Sequence, residues 1–335
     1  MWISSIGAFC PHLLLAGAEP KVSVRVVAKD ERLQRIRELI PPYRVAPGTE
    51  VVLSRDYDPG DTGDLFNKKD SAELLDEGVE MLSNYQERLA AQDTYGLLVV
   101  LQALDAGGKD STIRHVMSGV NPQGVVVQAF KAPSEEELDH DYLWRHTQKL
   151  PQRGQIGIFN RSHYEEVLVV RVHPELLERE KLPPAARAGD IWERRYRQIN
   201  DWERVIVENG FPIVKLFLNV SKEEQRRRFL KRIDHPQKNW KFSANDVKER
   251  AHWDEYQTAF SEMLSATSTE HAPWFVIPAD HKWFMRVAVA AVIVDALAKI
   301  DPQFPTVGDE LQAALLAAKA ELEAEAPAGA GAGKA

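Results

Sequence analysis

Five short, unbroken apolar runs constrain this chain more than anything else in it: "GLLVVLQA" (96–103), "GVVVQAF" (124–130), "GQIGIFN" (154–160), "FPIVKLFLNV" (211–220) and "WFVIPAD" (274–280). An apolar run without polar alternation is the pattern of a strand buried on both faces. Helical spacing fills the gaps between them. Leu75, Val79, Leu82 and Leu89 mark a helix over about 70–92, and "IWERRYRQINDWERVIVEN" marks a longer one that Gly210 closes. Ser134 with Glu137, Asp190 with Glu193 and Ser221 with Glu224 read as capping boxes or their Asp variant. Strands that alternate with helices predict a mostly parallel sheet covered on both faces, a three-layer α/β/α domain over roughly 70–305. The sequence shows no internal repeat.

The flanks differ from this core. Residues 1–41 read as a poorly ordered leader: the opening is mildly apolar, but it lacks a basic start, its first lysine is Lys21, and Pro11 interrupts the apolar run, so it does not read as a signal peptide. Residues 42–69 form an arm that includes the turn-rich "SRDYDPGDTGDLFNKKD". After 306 we expect a helix and then a disordered Ala/Gly-rich tail, "AEAPAGAGAGKA". No apolar run approaches the length of a membrane span. A net charge of −8 argues against a nucleic-acid binder, so any polyanion must be met by a local basic site. The single cysteine, Cys10, excludes an internal disulfide and fits a reducing, cytoplasmic setting.

Parallel sheets bind ligands at the carboxyl ends of their strands. The first such segment, "LDAGGKDSTIRHVMSG", carries a variant of the phosphate-binding G-x-x-x-x-G-K-[ST] loop. Gly107 and Gly108 free the backbone to close around a phosphate, Lys109 adds a point charge, and Asp110, Ser111 and Thr112 open the following helix. Ala103 replaces the first glycine and Asp110 the metal-binding hydroxyl. Asp105 adds a carboxylate that would repel phosphates unless a divalent cation lay between them. Asp105 is therefore the first candidate metal ligand, with a turn-stabilising Asp as the plainer alternative.

Three further segments follow strands. "FNRSHYEE" presents Asn160, a weak neutral metal ligand, and Arg161, which can fork onto phosphate oxygens; His163, Glu165 and Glu166 lie beyond, the two glutamates readable also as a solvated helix face. "SKEEQRRRFLKRIDHPQKNWKFSANDVKER" is the most basic stretch of an acidic chain. Its helix–loop–helix layout, carrying Arg226, Arg227, Arg228, Lys231, Arg232, Lys238 and Lys241, predicts a lid, about 226–250, that closes on phosphates; a charged helix pair in solvent is the alternative. In "FKAPSEEELDHDYLWRHTQKLP", Lys131 and Arg145 could face an acceptor phosphate or only cap and solvate. "NKKD" (67–70) matches a guanine-reading pattern by chance, because it precedes the phosphate loop and follows no buried strand.

Together these segments resemble the polyphosphate kinase 2 family. The resemblance runs from about 42 to 305 and includes "LDAGGKDST", "NPQG", "LDHDYLWR", "FNRS", "IWERRYRQIN", "PQKNWKFS" and "APWFVIPADHKW". It implies a P-loop kinase fold similar to thymidylate kinase with a helical lid, and Mg²⁺-dependent (Mn²⁺ possible) phosphoryl transfer between inorganic polyphosphate and AMP, ADP or ATP. It implies a homo-oligomer, dimer or tetramer, with no nucleic acid or membrane as partner. Residue by residue, it assigns catalysis to Asp105, Lys109 and Arg161, metal binding to Asp105 and Asn160, the lid arginines to Arg227 and Arg228, and the acceptor-side arginine to Arg145. Asn121, which opens "NPQG", joins Lys131 as a candidate nucleotide contact. "NPQG", "LDHD" and "FNRS" resemble the class III branch, which phosphorylates both AMP and ADP. Ser111 stands where the family pattern has glycine, and His235-Pro236 where it has Asp-Pro.

Overall fold

The computed structural model describes residues 22–325, with side chains from residue 31 onward other than those of 238, 241 and 244. Its strands are β1 (Leu97–Gln102), β2 (Val125–Ala129), β3 (Ile156–Asn160), β4 (Ile213–Asn219) and β5 (Trp274–Pro278). They lie in the order β2-β3-β1-β4-β5, every neighbouring pair parallel. The longer helices are α1 (Val22–Leu39), α2 (Ser71–Gln92), α3 (Lys109–Val116), α4 (Ile191–Glu208), α5 (Lys222–Ile233), α6 (Ala244–Glu249), α7 (Trp253–Thr267), α8 (Lys282–Ile300) and α9 (Asp309–Ala324).

Alternation along the strands divides the interior into two cores. Leu97, Val99, Leu101, Val214 and Leu216 face one side, with Met81, Leu82 and Leu89 of α2 and almost the whole length of α8. Leu98, Val100, Ile213, Phe217 and Trp274 face the other, with Ile199 and Ile206 of α4 and Phe260 and Met263 of α7. Strand faces buried on both sides make the runs of β1, β3, β4 and β5 read as continuous; β2, at the edge of the sheet, departs from that expectation, with Val126 and Val127 exposed. Lys215 breaks the run in β4 and is nonetheless fully buried. Its ammonium lies 2.6 Å from Glu203 of α4 and donates to Tyr164 Oη and to the carbonyl of Thr267 at 2.8 and 2.6 Å, so the charge is paired and all three donors are used.

The leader expectation is corrected at its inner end. Leu39 and Ile40 are buried in the first core, and Arg32 of α1 pairs with Glu77 and Glu80 of α2, because α1 presents apolar residues to the α2–α8 surface. Residues 1–21 lie outside the described residues. The arm is part of the domain: Val45 N donates to Trp274 O, Val51 N to Ser265 Oγ and Leu53 N to Ser261 Oγ at 2.9, 2.8 and 3.0 Å, closing the open edge beside β5. Helix α9 buries no side chain, and 326–335 fall outside the described residues. "NKKD" forms the turn that opens α2, with Lys69 N donating to Asn67 Oδ1 at 2.8 Å.

Because the strands are parallel, all five carboxyl ends meet at one edge of the sheet. β1 connects leftward to β2, while its neighbour β4 connects the other way to β5. The chain therefore opens a crevice beside the end of β1, the place where open α/β sheets hold ligands.

Candidate active site

The β1–α3 loop fills that crevice. Ala106 has φ +60° and Gly108 φ +112°, left-handed values that bend the chain back on itself. At Gly107 a Cβ would lie 2.6 Å from Ala103 Cβ and 2.9 Å from Leu104 O, so only glycine fits. Helix α3 starts at Lys109 with no side-chain cap, which leaves the N–H groups of its first turn directed at the crevice with the positive end of its dipole. Ser111 Oγ and Thr112 Oγ1 both donate to Gly108 O, at 2.9 and 3.0 Å, and Thr112 is fully buried against Met285. Lys109 is buried and donates to Ala103 O at 2.7 Å; burial, with the nearby Arg161 cation, brings its pKa down to about 8.

β3 delivers Arg161 to the same point. Its φ of +64° is a strained value for a side-chain-bearing residue, and it turns the guanidinium back across the loop. Arg161 Nη2 lies 2.6 Å from Asp105 Oδ1 and Nη1 lies 3.0 Å from Glu165 Oε2; Glu165 foremost, then Asp105, hold the cation firmly charged. Asn160 is brought to Asp110 rather than to Asp105: its Nδ2 donates to Asp110 Oδ1 at 2.8 Å. Ser162 accepts from Gln102 at 3.0 Å, which ties the end of β3 to the end of β1. Behind it, Tyr164 donates to Glu203 at 2.8 Å, so the buried Lys215–Glu203 pair braces the segment that carries Arg161.

On the β2 side, Arg145 donates to Lys131 O at 2.9 Å and lies over the Phe130 ring at 5.2 Å. Phe130, Lys131, Arg145, Arg161, Glu166 and Glu180 line a cavity of about 410 Å³. Sequence reasoning left Glu165 and Glu166 open to a solvated-face reading, and both instead point inward. Glu166 and Glu180 share Arg195, and burial, then the Glu180 charge, pushes Glu166 up to about 8. Arg161 also lines a smaller recess with Asp105, Gln225 and Asp246. Asp246 of α6, unnoticed in the sequence, lines that recess too; burial, then the Asp105 charge, pushes its carboxyl up. Only its distance in sequence from Asp105 concealed that neighbourhood.

Several sequence candidates fall elsewhere. Asn121 caps the turn before β2 by accepting from Gln123 N at 3.0 Å. It thus stands at the amino end of the sheet, roughly 16 Å from the site at 3.3 Å per residue, and is not a nucleotide contact in this crevice. Arg227 is 64% exposed and pairs with Glu224. Arg228 is buried behind the loop, where it donates to Ala106 O and Gly107 O at 3.0 and 2.9 Å. The side chains of Lys238 and Lys241 lie outside the described residues.

The family model of polyphosphate kinase 2 (PPK2) matches residues 65–305. The chain belongs to the polyphosphate kinase 2 family. It is 46% identical to an ADP-polyphosphate phosphotransferase of Rhodopseudomonas palustris over 84% of this chain and 97% of that protein. An AMP/ADP-polyphosphate phosphotransferase of Meiothermus ruber is also 46% identical, over 78% of this chain and 94% of the relative. The crystal structure of polyphosphate kinase 2 from Arthrobacter aurescens TC1 superposes with a TM-score of 0.75 at 40% identity, covering 85% of this chain and 96% of that one. The α/β fold with a P-loop kinase arrangement is therefore that of the family, and the chain is a transferase. No helix among the described residues is long and apolar enough to cross a membrane.

Proposed function

We propose that the protein moves a phosphoryl group from inorganic polyphosphate to AMP and/or ADP, forming ADP or ATP, and that the reaction runs in both directions. The observation that carries this reading is the sharing of Arg161. One guanidinium borders both the phosphate loop recess and the 410 Å³ cavity, so donor and acceptor phosphates can meet across it. The names of the relatives supply the donor polymer and the acceptor class.

In this reading the loop amides, the α3 dipole and Lys109 hold the donor phosphate, and Arg227, Lys238 and Lys241 of the lid meet the rest of the polymer. Lys131 and Arg145 orient the acceptor phosphate. An acceptor oxygen forms a new bond to phosphorus as the bond to the shortened polymer breaks, and Arg161 balances the charge on the group in flight. The nucleophile is already an anion, so no general base is needed. Mg²⁺, or Mn²⁺, fits the donor set. No group of three or more carboxylate, histidine or cysteine side chains among the described residues could cage an ion. Asp105 with phosphate oxygens suits a cation that arrives with its substrate. Bound there, the ion would offset the charge between Asp105 and the donor, with Asn160 a secondary ligand. The single cysteine supports a cytoplasmic setting, and the exposed Leu311, Leu315, Leu316 and Leu322 of α9 support assembly into a dimer or tetramer.

One assay tests the reading: purified protein, Mg²⁺, polyphosphate and AMP or ADP, followed for ATP. ATP formed only when polyphosphate is present upholds it. Transfer from ATP to a nucleotide or small metabolite, without use of polyphosphate, replaces it with an ATP-driven kinase. Binding of both ligands without turnover replaces it with a sensor.

A further inference from the structure

The phosphate loop is gripped from behind by the helix that leads into the lid. Gln225 Nε2 donates to Asp105 O at 3.0 Å, and Arg228 Nη1 donates to Ala106 O at 3.0 Å and to Gly107 O at 2.9 Å. Three consecutive loop carbonyls are thus taken by two side chains one turn apart on α5. Both are almost wholly buried, at 3% and 7% exposure. The rest of the guanidinium is committed as well: Nε donates to Glu224 at 2.8 Å, and Nη2 donates to the carbonyls of Ala279 and Asp280 in the loop after β5. Gln225 Oε1 in turn accepts from Arg250 at 2.8 Å. Every N–H of Arg228 has an acceptor, so no edge remains for a phosphate.

In a peptide unit the carbonyl and the N–H point in opposite directions. Drawing the carbonyls of Asp105 and Gly107 toward α5 turns the N–H groups of Ala106 and Gly108 toward the crevice. The N–H between them closes the turn onto Leu104 O at 3.0 Å. The left-handed φ of Ala106 persists only where the surroundings over-determine it, and these hydrogen bonds do so.

We infer that Arg228 and Gln225 are positioning residues for the phosphate loop: they hold its carbonyls away from the anion and join the foot of the lid to the loop. Arg228 then acts on phosphoryl transfer without touching polyphosphate. The inference rests on the phosphotransferase reading and removes Arg228 from the polymer-contacting lid cations, leaving the exposed Arg227 among them.

The test compares Arg228→Lys, Gln225→Ala and Arg227→Ala in steady-state turnover of polyphosphate with ADP. It adds amide hydrogen exchange of the 103–112 peptide in the unliganded proteins. A lysine has three donors on one nitrogen and cannot reproduce the five-donor fork that Arg228 spreads over Glu224 and four carbonyls. Arg228→Lys should lower kcat roughly 30-fold while the polyphosphate KM stays within about threefold, since a misaligned amide cradle costs transition-state stabilisation rather than ground-state binding. Exchange in the loop should speed up about tenfold, with β1 unaffected. Gln225→Ala should show the same pattern at about a third of the size, and carries the test if Arg228→Lys is isolated misfolded. Arg227→Ala should instead raise the polyphosphate KM. A polyphosphate KM about tenfold higher at unchanged kcat in Arg228→Lys would show direct phosphate contact and overturn the inference. Unchanged loop exchange in both α5 variants would overturn it too. If the unaltered protein fails to use polyphosphate, the phosphotransferase reading falls, and the exchange comparison still decides whether α5 orders the loop.

Discussion

Replacing Asp105 by asparagine separates the carboxylate's structural contribution from its chemical one. In the unliganded site Asp105 pairs with Arg161 at 2.6 Å, with side chains 32% and 34% exposed. Two unit charges about 4 Å apart attract by about 4 kcal/mol at an effective dielectric constant near 20. Solvent access and the cost of desolvation reduce the net value of such a pair to about 1 kcal/mol or less. Arg161 also keeps Glu165 at 3.0 Å. The variant should therefore lower Tm by no more than about 3 °C. Catalysis should suffer far more. Without the anion that would share a divalent cation with the donor, we expect kcat to drop about 10³-fold, equivalent to about 4 kcal/mol of transition-state stabilisation. The assay is ATP formation from polyphosphate and ADP across a Mg²⁺ titration, beside a thermal melt; the half-saturating Mg²⁺ concentration should rise. A kcat within about fivefold of the unaltered protein would refute the metal assignment. An equal loss in Glu165→Gln, which removes only Arg161's other anchor, would reassign the effect to the placement of Arg161.

Lys109 should impose an alkaline limb on kcat/KM. Its folded pKa is lowered from 10.5 to about 8, so the free enzyme carries the cation below that pH and loses it above. Between about 8 and 10.5 the unfolded chain binds the proton that the folded chain does not, so this group makes stability rise with pH while activity falls. A limb that begins only near pH 10 would contradict this. Lys215→Met should destabilise by about 3–5 kcal/mol, read from urea unfolding, because Glu203 would remain buried without its counter-charge; adding Glu203→Gln should recover part of the loss. Arg145→Ala should raise the acceptor KM about tenfold and leave the polyphosphate KM unchanged, and equal changes in both would show that the two subsites are not separate.

Four of the strands were legible because both of their faces are buried, so hydrophobicity alone marks them; β2 was legible as an apolar run although, at the sheet's edge, Val126 and Val127 are exposed. Helix starts were legible in part. Ser134 and Glu137 form a reciprocal box, whereas Glu224 turns from its cap to pair with Arg227 and Arg228. The loop announced itself through Gly107, Gly108 and Lys109 because a backbone cradle needs those residue types in consecutive positions. Asn121 misled because adjacency to a strand does not say which end of it a residue occupies: Lys131 follows β2, Asn121 precedes it. Arg228 misled because a run of arginines does not reveal which of them faces the loop backbone and which faces solvent. Nothing in the sequence pattern joins Lys215 to Glu203 or Asp105 to Asp246, since both neighbourhoods exist only once the layers have stacked.

The arm that seals the edge beside β5 sets an order on how the molecule can be made. Val51 hydrogen-bonds Ser265, 214 residues further along. At a synthesis rate of about 5–20 residues per second, the arm leaves the ribosome roughly 10–40 s before its partners exist. Throughout that interval an early segment with its own apolar side chains, Val45, Val51 and Leu53, has nowhere to lie. The strands meanwhile assemble around β1, and the last strand docks with one edge bare. Final closure therefore joins one of the first-made segments to one of the last-made, so a nascent chain halted before residue 265 should be open to proteolysis at the arm while the arm of the finished protein resists it.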